Sequence, residues 1–78
     1  MRSNDVAIVA FGHRLRSCRE ALGWSQEYLA AEAGLDRTYV SGIERGVRNP
    51  SLKNIIRLAA ALKVSLATLF EGIDRKQS

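Results

Sequence analysis

The sequence predicts an all-α fold, one domain of five short helices. Three observations predict it. Apolar residues recur at intervals of three and four, the period of a helix face. Glycines follow the apolar runs (Gly23, Gly34, Gly46) and serines precede them (Ser25, Ser51, Ser65), the order expected of helix ends and helix starts. No stretch of useful length alternates apolar and polar residues as a strand would.

The first helix is expected from about Val6 to Leu22, with Ile8, Phe11, Leu15, Cys18 and Leu22 as its apolar stripe. Asn4 or Asp5 can cap its start, and Gly23 ends it. Ser25 caps a second helix, QEYLAAEA, whose Leu29, Ala30 and Ala33 face inward; Gly34 stops it by supplying a left-handed conformation. Asp36 caps the third helix, which runs to about Arg45 and closes at Gly46. In the loop VRNPS, Pro50 disfavours helical geometry at Asn49. Ser51 caps the fourth helix, with Leu52, Ile55, Ala59 and Leu62 on one face. Ser65 caps the fifth, with a stripe of Leu66, Leu69, Phe70 and Ile73. The domain spans residues 1–78, with 1–5 and 74–78 expected to fray.

Seventy-eight residues lie near the lower size limit for an unstapled core, so modest stability and help from a dimer interface are expected. One cysteine and one histidine exclude an internal disulfide and provide no metal cluster. No apolar run approaches the roughly 20 residues of a membrane span, and no signal-peptide core is present. A cytoplasmic protein is the expectation, without membrane partner, cofactor or small-molecule effector. The net charge of +4 is unevenly spread. Residues 25–35 hold Glu27 and Glu32 without a base, giving −2. Residues 36–57 hold Arg37, Arg45, Arg48, Lys53 and Arg57 against Asp36 and Glu44, giving +3. A basic patch suits a polyanion.

The second and third helices are each too short to be stable alone and are joined by a turn containing Gly34 and Leu35. With Ala30 at their close approach, they describe a helix-turn-helix unit; an ordinary αα-hairpin has the same period. On a helical wheel, Val40 and Ile43 of the third helix point to the core. Thr38, Gly42 and Arg45 lie opposite, Ser41 beside them, and Arg37 and Tyr39 flank that face. A helix kept for solubility would carry Glu–Lys pairs instead. Gly42 costs about 1 kcal/mol against alanine, which suits a face that another surface must approach closely. Major-groove DNA is such a surface. Arg37 can pair with guanine O6 and N7, Thr38 can meet a thymine methyl or donate to a base, and Ser41 can donate or accept. Gln26 opens the second helix within reach of base or backbone, and Tyr39, Arg48 and Asn49 are placed for phosphate or sugar.

These segments, SQEYLA, then GLDRTYVSGIERG, then RNPS, resemble the Cro/C1-type (XRE) helix-turn-helix repressors. Within that family they look most like the controller proteins of restriction–modification systems. The likeness covers about Phe11 to Glu71. It implies a compact lambda-repressor-like domain, a homodimer on a pseudo-palindromic operator, and Gln26, Arg37, Thr38 and Ser41 at base-reading positions. Ser25, Tyr39, Arg45, Arg48 and Asn49 then serve the DNA backbone. The resemblance also implies that Arg19 pairs with Glu44. Trp24 and Cys18 depart from the usual residues, away from the DNA face.

Cys18 on the apolar stripe reads as a small hydrophobe, His13 as a solvated side chain, and Trp24 as a residue of the core or its edge. Leu66, Leu69, Phe70 and Ile73 make a wide stripe for a terminal helix and are expected at a dimer interface. The functional expectation is a sequence-specific, double-stranded-DNA-binding transcription regulator without catalytic residues. Two rivals stand beside it: an antitoxin with a protein toxin as partner, and a helical interaction module that does not bind DNA.

Overall fold

The computed structural model describes residues 5–73. The expected fraying of 1–4 and 74–78 lies outside them, while Asp5 is the ordered cap of the first helix: its carboxylate accepts from the amides of Ala7 (3.0 Å) and Ile8 (3.3 Å). Five helices follow in order: α1 (Val6–Ala21), α2 (Gln26–Ala33), α3 (Arg37–Glu44), α4 (Leu52–Leu62) and α5 (Leu66–Leu69).

Local chemistry sets most boundaries. The hydroxyls of Ser25, Ser51 and Ser65 accept from the amides of Tyr28, Asn54 and Thr68, at 3.0, 3.2 and 3.0 Å. α2 ends at Gly34 with φ 70°, where the amide of Leu35 reaches back to the carbonyl of Ala30 at 2.8 Å. α4 ends the same way at Lys63, the one non-glycine with positive φ among the described residues. Asp36 differs from expectation. It occupies the N-cap position of α3 but makes no capping bond, because its carboxylate accepts instead from the hydroxyl of Thr38 at 2.9 Å.

All five helices supply the core. Its fully buried centre is Leu15, Leu29, Val40, Ile43, Leu58 and Leu69, with Phe11, Ala30, Ile55, Ala59, Leu62 and Ile73 around it. Leu35, Trp24 and Cys18 pack against its edge. Burying each large side chain contributes about 1.5–3 kcal/mol. The apolar stripes need three corrections. Leu22 is exposed because α1 stops one residue earlier, and Leu52 is exposed because it lies in the first turn of α4, outside the packed face. Leu58, absent from the expected stripe of α4, is fully buried.

α1 crosses the carboxyl end of α3 very closely. A Cβ on Gly12 would overlap the carbonyl oxygen of Ile43 and stand 2.9 Å from that of Glu44. Neither obstacle can swing away, since both are backbone. Gly12 therefore fixes how near the first helix comes to the third, and with it the setting of the site described next.

Candidate nucleic-acid interface

The carboxyl end of α3 rests on a buried network. Arg19 forks onto Glu44, Nε to Oε2 at 2.7 Å and Nη2 to Oε1 at 2.9 Å. Its remaining Nη1 donates to the carbonyl of Trp24 at 2.7 Å, and Gln26 donates from Nε2 to Glu44 Oε1 at 3.0 Å. Through Arg19 and Glu44 the network thus ties together α1, the α1–α2 loop, the start of α2 and the end of α3. The hydrogen bond that Arg19 donates to Glu44 is the largest influence holding its guanidinium above its ordinary value; burial opposes it and the charge of Glu44 adds to it. The sign is that of a base stabilised in its charged form. Its stabilisation is fully present below the ordinary arginine range and is lost only as pH rises through the raised value, so it is constant near neutrality.

At the other end, α3 turns its side chains outward. Arg37 is exposed and makes no hydrogen bond or ion pair among the described residues. The hydroxyl proton of Thr38 is committed to Asp36, leaving its methyl and oxygen lone pairs outward. Ser41 is half-buried and accepts a long contact, 3.4 Å, from Nε of the exposed Arg45. Gln26 is half-buried. With one amide proton on Glu44 it keeps its carbonyl and second proton. Ser25 is exposed but already caps α2.

Gly42 departs from the wheel. It is buried, and what covers it is Arg48: a Cβ at Gly42 would lie 2.5 Å from Arg48 Cγ. The loop after α3 folds back because the amides of Val47 and Arg48 both donate to the carbonyl of Gly42, at 3.0 and 3.2 Å. The missing side chain therefore admits the stem of Arg48, whose guanidinium carbon stands 5.2 Å from the centroid of the Tyr39 ring. Asn54 of α4 reaches the same tyrosine, Nδ2 to Oη at 3.1 Å. Asn49 is exposed beside the buried Pro50. Sequence reasoning missed Gly12 and Asn54 because each acts across helices, where no spacing rule applies.

The expected interface stripe is divided. Leu69 is fully buried and Ile73 buried in the monomer core, because α5 is a single turn whose inner side closes the domain. Leu66 and Phe70 remain, each 39% exposed, and the Phe70 ring also leans on Phe11 at 5.4 Å between centroids. Arg14 pins this segment by donating from Nε to the carbonyl of Thr68 (2.8 Å) and from Nη2 to Glu71 (3.0 Å). Among the described residues there is no group of His, Cys, Asp and Glu side chains able to hold a metal. None of the described helices is long and apolar enough to cross a membrane.

Comparison with known proteins agrees with this geometry. A helix-turn-helix family model matches residues 15–69. The control protein C.MunI of a Mycoplasma species is 45% identical over 74 residues, 94% of this chain and 99% of that protein. The restriction–modification controller protein C.AhdI from Aeromonas hydrophila superposes with a TM-score of 0.78 at 56% identity, covering 80% of this chain and 94% of that one. The controller protein C.Esp1396I gives 0.83 at 33% identity, covering 94% and 95%. Taken with the packed α2–turn–α3 unit, these likenesses show that the chain belongs to the XRE-type helix-turn-helix family of DNA-binding transcription regulators.

Proposed function

We propose that this chain binds a pseudo-palindromic operator as a homodimer, with α3 in the major groove, and that it works as the controller of a restriction–modification system in the cytoplasm. One observation carries the reading: α3 is clamped at its carboxyl end by the buried Arg19–Glu44 pair while Arg37, at its amino end, has no partner for its guanidinium among the described residues. A rigid helix that projects an unpartnered fork is suited to bidentate recognition of guanine. In this reading Gln26, Thr38 and Ser41 complete the base-reading face, and Ser25, Tyr39, Arg45, Arg48 and Asn49 follow the backbone. The names of C.MunI, C.AhdI and C.Esp1396I support the controller role.

The dimer reading rests on apolar pairs four residues apart that α4 and α5 leave exposed: Leu52 with Ile56, and Leu66 with Phe70. A second copy brings two recognition helices to half-sites about 34–36 Å apart. Promoter control then follows from operator position, by blocking polymerase or by contacting it from upstream.

The test is fluorescence anisotropy on duplex from upstream of the chain's own gene, beside a shuffled duplex, at two salt concentrations. Tight binding to the native duplex alone is expected; no binding to either at low salt overturns the reading. Light scattering should give a dimer at tens of micromolar. A persistent monomer that co-purifies with a small protein would favour an antitoxin role instead, since the same apolar pairs could face a toxin.

A further inference from the structure

We propose that Asn54 is a positioning residue for DNA binding: it fixes the phenol of Tyr39 as a hydrogen-bond donor, so that Tyr39 and Arg48 together clamp one backbone phosphate. The proposal rests on the DNA-binding reading above and adds a residue from α4, outside the helix-turn-helix.

A phenol oxygen can both donate and accept, whereas phosphate oxygens only accept. A freely rotating phenol therefore presents the wrong side part of the time. Asn54 Nδ2 donates to Tyr39 Oη at 3.1 Å and fills its acceptor side, so the phenolic proton turns away from α4. Asn54 is itself steady, because its backbone amide is held by the capping hydroxyl of Ser51 in the first turn of α4. The Tyr39 ring packs against the edge of the core, which holds its hydroxyl in place beside Asn54.

Arg48 supplies the charge. Its stem is seated where Gly42 lacks a side chain, and its guanidinium carbon stands 5.2 Å from the tyrosine ring centroid. It is exposed and forms no ion pair among the described residues. One oriented neutral donor beside one free cation is the donor set that a single phosphate diester takes. The three side chains come from α3, the following loop and α4, so the clamp exists only in the folded domain.

The phosphate backbone is common to all sequences, so the probe is a mixed-sequence duplex of about two helical turns, read by anisotropy at low salt. Tyr39→Phe is expected to weaken binding about tenfold and Asn54→Ala about threefold. In the Tyr39→Phe background, Asn54→Ala is expected to cost nothing more. Neither variant should change the slope of log affinity against log salt, because both groups are neutral, whereas Arg48→Ala should flatten it by about one. An equal loss from Asn54→Ala in both backgrounds would make its role merely structural and overturn the proposal. Tighter binding by Asn54→Ala would also overturn it, since Asn54 would then be withholding the phenolic proton. Should Asn54→Ala unfold, the isosteric Asn54→Asp runs the same cycle, with its loss expected to shrink in the Tyr39→Phe background. If the unmodified protein binds no duplex at all, the DNA reading itself fails; binding without coupling between positions 39 and 54 removes only this inference.

Discussion

At its carboxyl end α3 is gripped from three directions, by Arg19, by Gln26 and by the close backbone of α1 at Gly12, and little of that end meets solvent. At its amino end the same eight-residue helix lacks even a side-chain cap, and Arg37 has no partner among the described residues. The difference teaches how so short a helix can serve recognition. An isolated helix of this length would not persist in water, so order has to come from tertiary contact. Here the polar part of that contact is concentrated at the end away from Arg37. The anchor of the helix and Arg37 are thereby set at opposite ends of about 12 Å.

Substitutions at the two ends should behave differently, and the largest effect belongs to the locked end. Arg19→Ala or Glu44→Ala leaves a buried charge unpaired and should lower stability by about 3–5 kcal/mol in urea titrations. A loss below about 1 kcal/mol would mean that the network does not anchor α3. Gly12→Ala comes next. By forcing α1 away from two backbone carbonyls it should cost about 1–3 kcal/mol, read as a lower melting temperature. At the free end, Arg37→Ala should leave the melting temperature nearly unchanged while weakening operator binding by about 1–3 kcal/mol and relaxing sequence preference. Equal losses on operator and shuffled duplex would show that Arg37 serves phosphate instead. Gly42→Ala should change folding stability by no more than about 1 kcal/mol, as helix propensity gained offsets the displaced Arg48 stem. Binding to every duplex should nevertheless fall, because Arg48 is moved from Tyr39; unaltered binding would show that the seat at Gly42 is dispensable.

Much of the fold was legible because its signals are local. A serine hydroxyl reaches an amide three residues on, and a glycine ends a helix through its own φ, so Ser25, Ser51, Ser65 and Gly34 can be read without knowing what packs where. Periodicity placed Leu15, Leu29, Val40 and Ile43 inside for the same reason. It failed at Leu22 and Leu52, where a stripe outruns the helix or the neighbour it packs on, and it could not divide the fifth stripe between core and surface. Gly42 shows the limit most clearly. A wheel describes one helix against an empty background and assigned the glycine to an approaching ligand, but the chain's own next loop occupies the space. The partnership of Arg19 and Glu44, 25 residues apart, was available only through family resemblance. Asn54 had no signal, because an asparagine at the third position of a helix reads as an ordinary exposed residue until the tyrosine beside it is seen.

The elbow at Lys63 has a wider consequence. Its backbone sits at φ 60°, a conformation costing about 1–2 kcal/mol for a residue with a side chain, and it sets the direction in which the chain leaves α4 for α5. In the proposed dimer the apolar pairs of α4 and α5 meet their twins, so the angle of that elbow governs how one subunit is rotated against the other. The spacing between two operator half-sites would then be encoded in one backbone dihedral outside the proposed DNA-contacting residues, and could drift there while every proposed base-reading residue stayed the same.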